Sequence, residues 1–431
     1  MLHSKPTRSV QRAVISRRRV QLLGSLLFSA LLPYALRLLI TPGSAGDPPA
    51  LNTFLGNCGA VLIALWVRLS VEPFPGVRSS ALNLPVATAS HAIVVVAIVL
   101  LRVPYDRSFL LAGYGMHLVW LYLTYFIVQR RSVVRIAVVP FGKNRELVNI
   151  VDLENVEWRE IRRPLLKEAE NCQAIVADFH AAMSPEWEAF LADAAVGGWV
   201  VYQVKQLSES LTGRVEIAHI SENSFGSLMP ARGYFHFKEM LDLLTALLAL
   251  PLVLPVIAVV AVAIRLEGKG PVFFRQDRIG HGGRTINVLK FRTMLPYDQQ
   301  EGSDERLRAM TGIADARVTQ LGRVLRHSRV DELPQIWNIL MGEMSWIGPR
   351  PEAQILSDYY TGLIPFYRYR HVVKPGISGW AQVNQGHVAE VDDVIRKLQY
   401  DFYYIKYFSP WLDFLILFRT VKTMLTGFGS R

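Results

Sequence analysis

Four long apolar runs open the chain, over Leu22–Ile40, Thr53–Val67, Leu84–Leu101 and Leu110–Val128, with short polar loops between them. Each approaches the roughly 17–25 residues that a membrane helix needs, so the pattern predicts four transmembrane helices within residues 21–130. Pro33 inside the first run is tolerated in lipid, and Arg37 near its end can extend its charge to the interface. From Arg135 the pattern shortens. Arg135–Val139, Ala174–Ala177 and Trp199–Val204 read as strands, and Ser184 before Pro185 fits an N-cap followed by the first helical position. Alternating strands and helices predict a small α/β (Rossmann-like) middle domain with a parallel sheet over residues 135–225. The longest apolar run, Leu241 to Ile264, carries Pro251 and Pro255 at its centre and is flanked by Lys238, Arg265 and Lys269. Prolines disrupt a helix interior, and basic flanks on both sides give no orientation. A re-entrant membrane helix over residues 238–265, bent at these prolines, is favoured over a kinked fifth span.

Charge orients the N-terminal helices. Lys5, Arg8, Arg12, Arg17, Arg18 and Arg19 make residues 1–20 a basic N-terminus, Arg68 and Arg78 mark the second loop, and Arg130, Arg131 and Arg135 follow the fourth run. The positive-inside bias places these segments in the cytoplasm, with Arg102 and Arg107 against the trend. His91, Tyr114 and His117 fall within the runs and read as packing or interface residues; without a pair of acids a proton relay has no support. Hydrophobic residues form 51% of the 431-residue chain and formal net charge is +11. An acidic partner follows, and the apolar runs favour membrane lipids and phosphorylated substrates over nucleic acid. Two cysteines, Cys58 and Cys172, support neither a disulfide framework nor a thiolate zinc site. A bound metal would be a hard ion on oxygen ligands, with Mg²⁺ foremost.

Candidate chemistry is concentrated in the last third. Gly268–Gln276 leads into Arg278-Ile279-Gly280, then Leu289-Lys290-Phe291-Arg292-Thr293-Met294, Arg329–Gln335, Gly342–Pro351 and Lys374–Gln382. Leu333, Ile336, Trp337 and Leu340 recur as one helix face, Pro334 fits a first turn, and Gly342 lies just past the end. The helix is therefore expected to start near Asp331. Asp331 is then either an N-cap or an ionised carboxylate facing a phosphate. Glu332 beside it could hold Mg²⁺, and Lys290, Arg292, Arg326, Arg329 and Arg350 could neutralise phosphate oxygens, the combination that phosphoryl transfer requires. His281 reads as a turn residue. In the middle domain, Pro140–Asn144 has one glycine where a dinucleotide fingerprint needs several, so a regulatory or homodimer-forming role suits that domain better.

In this order the motifs closely resemble the bacterial sugar transferase family, the polyprenyl-phosphate hexose-1-phosphate transferases of the monotopic phosphoglycosyl transferase superfamily. The resemblance covers residues 234–431, and the spans plus α/β domain look like the family's larger members. It implies a mostly α-helical C-terminal catalytic domain on the cytoplasmic face of the bacterial inner membrane. It implies transfer of a hexose-1-phosphate from a UDP-sugar to undecaprenyl phosphate, with release of UMP, as the first step of exopolysaccharide, capsule or O-antigen synthesis. By resemblance, Asp331 is the nucleophile that forms a sugar-phosphoryl-aspartate, Glu332 is linked with Asp331 to the metal, and Arg326 and Arg350 serve the phosphates. Lys290 and Arg292 lie in the family's Lys-Phe-Arg-Thr-Met motif, and Pro255 corresponds to the proline of the membrane bend. Leu254 stands where serine is common, and Ser378 where threonine is. Glucose or galactose phosphate is the family-level expectation, with N-acetylated sugars open. Tyr403–Phe428 reads as interfacial helices. A membrane-anchored sugar-nucleotide dehydratase or epimerase would need a glycine-rich loop and Tyr-x-x-x-Lys; Tyr403 and Lys406 are one residue short of that spacing. A scaffold or transporter would not need the Asp331–Glu332 and arginine series.

Overall fold

The apolar runs fold as helices. In the computed structural model, residues 18–41, 43, 46–70, 80–129, 134–142, 144, 156–217, 230, 232–294, 317–385 and 391–426 are described. The basic residues through Arg17, and Arg78, Arg130, Arg131 and Lys143, lie outside them. Helix α1 (Arg18–Leu26) continues through a π-helical turn (Leu27–Leu31) into α2 (Leu32–Ile40). Then come α3 (Pro48–Ser70), α4 (Ser80–Leu100) and α5 (Arg107–Thr124). Five described helical segments are long and apolar enough to cross a membrane: Arg19–Ile40, Pro48–Arg68, Asn83–Leu100, Arg107–Ile127 and Gly233–Glu267. Several polar residues among the first four are partnered. Arg37 pairs with Asp106 at 2.7 Å. Asp106 also caps α5 by accepting from the Phe109 amide. Tyr114 hydrogen-bonds Thr88 at 2.9 Å and meets the His91 ring edge-on at 5.3 Å. Packing of this kind matches the reading of Tyr114 and His91 from the sequence.

The middle strands pair as a parallel sheet, β1 (Val134–Val138), β2 (Val156–Glu160), β3 (Ala174–Ala177) and β4 (Val200–Gln203), in the order β2-β1-β3-β4. Ile136, Ile175 and Val176 are fully buried in it. Short α6 (Leu166–Ala169), α7 (Pro185–Val196) and α8 (Val204–Thr212) accompany the strands. Ser184 is the N-cap residue of α7 with extended backbone, though its side chain makes no capping bond.

The chain divides into two units, Met1–Thr212 and Gly213–Arg431. The second opens with α9 (Arg232–Glu267), which runs as one helix through Pro251 and Pro255. It then forms an antiparallel hairpin, β5 (Phe273–Ile279) with β6 (Thr285–Phe291), in which Phe273 faces and stacks on Phe291. Glycines at positive φ, Gly282 and Gly283, make the turn, and His281 lies in it, as the sequence suggested. Next come α10 (Gln320–His327), a 3₁₀ segment (Val330–Gln335) and α11 (Ile336–Leu340). Parallel strands β7 (Ser345–Ile347) and β8 (Gly376–Ser378) follow, with α12 (Gln354–Leu363) and a second 3₁₀ segment (Tyr367–Val372) between them. The unit closes with α13 (Trp380–Gln385), α14 (Val391–Lys406) and α15 (Pro410–Thr426). This unit is helical in the main, but the β-hairpin and the β7–β8 pair were not expected.

The expectation of interfacial helices over Tyr403–Phe428 needs correction. Tyr403, Tyr404, Phe408, Leu412, Leu415 and Ile416 are buried together with Phe402, Leu398 and Tyr360 in the main core of this unit. The aromatics there serve packing: Tyr403 stacks on Trp380, and Tyr404 donates to Asp413 at 2.8 Å.

Candidate active site

The start of the 3₁₀ segment is unusual. Arg329 takes a left-handed conformation (φ 59°, ψ 14°), which non-glycine residues adopt only at a cost. That turn ends α10 and redirects the chain, so Asp331 lies in the first 3₁₀ turn and Arg329 takes the N-cap position. Of the two readings of Asp331 from the sequence, the N-cap one is thereby corrected. The apolar face Ile336, Ile339 and Met344 packs under the segment against Ala246 of α9 and Ile286 and Val288 of β6. Gly342 follows the helix with φ 74°, as its place past the end implied.

Asp331 and its neighbour Glu332 point into different surroundings. Glu332 is buried. Its Oε1 accepts from Arg350 Nη2 at 2.6 Å and from Lys290 Nζ at 3.3 Å, and Arg329 Nη1 lies 3.8 Å from its Oε2. Burial would raise this carboxyl, but Arg350 and Lys290 outweigh it and hold it well below the usual carboxylate range. Reciprocally, Glu332 raises Arg350. Burial pulls Lys290 down to about 8, with Glu332 opposing and Arg350 and Arg278 reinforcing.

No hydrogen bond or ion pair joins the Asp331 carboxylate to another described side chain. Burial and then the Glu332 charge raise its pKa, while Lys290, Arg350 and Arg326 pull the other way. Among the described residues this carboxylate is thus left with lone pairs open to an electron-poor centre, beside a carboxylate that holds three cations.

The predicted cations divide into two groups. Lys290, Arg329 and Arg350 converge on Glu332. Arg326 acts on Asp331 electrostatically and donates to Thr293 Oγ1 at 2.9 Å. Arg292 sits elsewhere: its guanidinium donates to the carbonyls of Ile264, Gly268 and Lys269 and so satisfies the free carbonyls at the end of α9. Among the described residues no three His, Cys, Asp or Glu side chains gather around a metal position. Asp331 and Glu332 are the adjacent carboxylates here that could contribute oxygen ligands to a hard ion.

A second ionic layer lies behind Arg350, and no motif spacing announced it. Arg370, in the second 3₁₀ segment, is buried and donates to the Arg350 carbonyl at 2.9 Å and to the Tyr367 hydroxyl at 2.8 Å. It pairs with Asp401 of α14 at 2.8 Å and reaches Glu352 at 3.6 Å. Glu352 also pairs with Lys397. Arg278 of β5 donates to the Pro351 carbonyl. Two acids and three bases thus hold the backbone of Arg350–Glu352 from below.

The glycines of the motifs have a backbone explanation. A Cβ on Gly376 would lie 2.1 Å from the Gly348 amide nitrogen, and one on Gly348 would lie 2.3 Å from the Lys374 carbonyl oxygen. The two segments cross with no room for side chains. Tyr403 and Lys406, the near-match to a dehydratase pair, lie on α14; Tyr403 packs on Trp380 and Tyr407, and Lys406 over the Tyr407 ring.

Comparison with known proteins agrees with this geometry. Residues 233–427 match the family model described as bacterial sugar transferase. Over 386 residues, 89% of this chain and 89% of the relative, the chain is 44% identical to a UDP-N-acetylgalactosamine-undecaprenyl-phosphate N-acetylgalactosaminephosphotransferase of Aeromonas hydrophila. It is 42% identical over 187 residues, 43% of this chain and 39% of the relative, to a UDP-glucose:undecaprenyl-phosphate glucose-1-phosphate transferase of Klebsiella pneumoniae. It is 37% identical over 194 residues, 44% of this chain and 95% of the relative, to the exopolysaccharide production protein PSS of Rhizobium leguminosarum bv. phaseoli.

Proposed function

The chain belongs to the bacterial sugar transferase family and is a transferase, and from that premise we propose that Asp331 carries a sugar phosphate from a UDP-sugar to undecaprenyl phosphate. The observation that carries this reading is the contrast between the two adjacent acids: Glu332 is tied to Arg350 and Lys290, while the Asp331 carboxylate has no hydrogen bond to another described side chain.

In the first step an Asp331 carboxylate oxygen attacks the β-phosphorus of the UDP-sugar. A P–O bond forms, the bond from that phosphorus to the bridging oxygen breaks, and UMP leaves with the bonding pair. In the second step a phosphate oxygen of undecaprenyl phosphate attacks the same phosphorus. The acyl-phosphate P–O bond breaks and Asp331 regains its carboxylate, leaving an undecaprenyl diphosphate sugar. Lys290, Arg329 and Arg350 are held together by Glu332 before substrate arrives, so little reorganisation is needed to face developing phosphate charge. Arg326 adds positive potential at Asp331. Mg²⁺, held by Asp331 or Glu332 together with substrate oxygens, would supply charge neutralisation on the diphosphate.

For the membrane, we read the four N-terminal helices as spans of the bacterial inner membrane, with the catalytic unit on the cytoplasmic face, and α9 as re-entrant with its bend at Pro251 and Pro255. The attachment of α9 supports this. Near its start, Tyr234 and Lys238 both bind Asp413 of α15, at 2.6 and 2.7 Å. Near its end, Ile264 is buried against Phe291 and Leu325. Between them Leu248, Leu252 and Val259 are 72%, 78% and 70% exposed. A helix fastened at both ends to one folded unit, with a greasy middle, suits one leaflet better than a full crossing.

The relative that matches along most of the chain makes UDP-N-acetylgalactosamine the first donor to test, with UDP-glucose and UDP-galactose beside it. Purified full-length protein, undecaprenyl phosphate and Mg²⁺ should release UMP from one of these donors. A phosphosugar adduct should be found on the peptide containing Asp331 when acceptor is withheld. UMP release at the wild-type rate by Asp331→Asn would refute the mechanism.

A further inference from the structure

The four-helix bundle contains a cleft between α1, α3 and α5 that the proposed chemistry does not use. Its walls are apolar, with Val61, Leu65 and Leu121 among them, and its polar lining includes Ser25, Arg68 and His117. No acid lines it. His117 is 1% exposed, and its Nδ1 has no hydrogen-bond partner. Arg68 stands in the last turn of α3 and has no hydrogen bond or ion pair with another described residue. One nitrogen of the His117 ring, which packs on His91 at 5.4 Å, is thus buried without a hydrogen bond in the cleft that Arg68 also lines, and a buried unsatisfied polar atom is costly away from water. Such groups in a membrane bundle ordinarily answer to a ligand.

The chemistry selects the ligand. Arginine presents donors that match a phosphate, and the apolar side chains beside it match the start of a lipid tail. The positive-inside reading puts the Arg68 end of the bundle at the cytoplasmic leaflet, where basic pockets between helices receive anionic headgroups.

We propose that this cleft binds a phosphate-headed lipid, with its phosphate at Arg68 and His117 and its first tail carbons along Val61, Leu65 and Leu121. The side of the membrane rests on the topology proposed above; the cleft and its lining do not. Two sources share this chemistry, a polyprenyl phosphate and a glycerophospholipid.

Full-length protein in phosphatidylcholine nanodiscs is irradiated with diazirine-bearing undecaprenyl phosphate, or separately with diazirine-bearing phosphatidylglycerol, and labelled peptides are mapped. Adducts are expected on the α1, α3 and α5 peptides around Ser25, Leu65 and His117. Arg68→Gln should lower that labelling about tenfold, while Arg68→Lys keeps most of it, as expected for loss or retention of one charge-assisted contact. Labelling by undecaprenyl phosphate only identifies the cleft with polyprenyl phosphates; equal labelling by both lipids identifies a general site for phosphate-headed lipids. Equal labelling by diazirine-bearing undecaprenol, which lacks the phosphate, overturns the proposal, as does undiminished labelling in Arg68→Gln. If Arg68→Gln does not fold, Leu65→Trp, which fills the cleft, replaces it and should abolish the same adducts. Asp331→Asn should label as wild type, so loss of UMP release there reports on the transfer chemistry and not on the cleft.

Discussion

Arg370 and Asp401 are paired at 2.8 Å, with side chains 2% and 1% exposed, and the same guanidinium holds the backbone carbonyl of Arg350 at 2.9 Å. The pair therefore ties α14 to the segment that delivers Arg350 to Glu332. Burial alone would lower Arg370, but Tyr367, Asp401 and Glu352 raise it above the ordinary arginine value. Breaking such a pair leaves a charge buried without its partner.

Asp401→Asn is accordingly expected to lower stability by about 3–5 kcal/mol, the usual cost of removing one member of a buried pair. Arg370→Lys keeps the charge but loses the forked contact to Asp401, Tyr367 and Arg350, so kcat should fall more than KM rises. Chemical denaturation and steady-state UMP release measure the two effects.

Asp331→Asn should lose turnover without losing stability. The Asp331 carboxyl is raised in the folded protein, so above its folded pKa the ionised form costs folding energy. Removing that charge at pH 7 should leave Tm unchanged or higher. A lower Tm would show that the carboxylate has a partner that stabilises it.

Glu332→Ala should behave in the opposite way. It leaves Lys290, Arg329 and Arg350 facing one another without the acid, and a loss of about 3–5 kcal/mol follows. Donor KM should change as well, since the cations lose their fixed positions. Glu332→Gln keeps the shape and isolates the charge effect, with thermal melting and donor titration as the readouts.

Lys290 sets an alkaline limit. With its pKa near 8, its charge disappears as pH rises past that value, and activity should fall about tenfold per pH unit beyond it. The sign for stability is the reverse. Between about 8 and the ordinary lysine value of 10.5 the unfolded chain binds more protons, so this group adds stability as pH rises across that window. Lys290→Arg should flatten the alkaline limb of the pH profile of UMP release.

Gly376→Ala should cost about 1–3 kcal/mol or more, because the new methyl meets backbone and not a movable side chain. Soluble yield and Tm of the purified variant check this.

The long apolar helices and the parallel sheet were legible because long apolar runs and strand-helix alternation are local signals. The β5–β6 hairpin was not, since Arg275, Gln276 and Asp277 interrupt any two-residue apolar alternation. Asp331 and Glu332 were legible as a pair, but not the contrast in what surrounds each of them. That depends on the left-handed turn at Arg329 and on cations brought from β6 and from beyond β7. Arg370, Lys397 and Asp401 carry no motif spacing, and only the tertiary fold brings them under Arg350. Arg292 shows the converse: a basic residue inside a motif is occupied with carbonyls at a helix end.

Helix α9 also has a mechanical consequence. Its residue Ala246 is buried with Ile336 and Ile339, and Ile336 begins the helix that follows the Asp331 segment directly. On the proposed reading, the Asp331 carboxylate is thus held at a fixed height relative to the exposed leucines of α9 that would enter the lipid. Bilayers with longer or shorter acyl chains should therefore retune the rate by lifting or sinking the whole platform relative to the headgroups, with no residue altered.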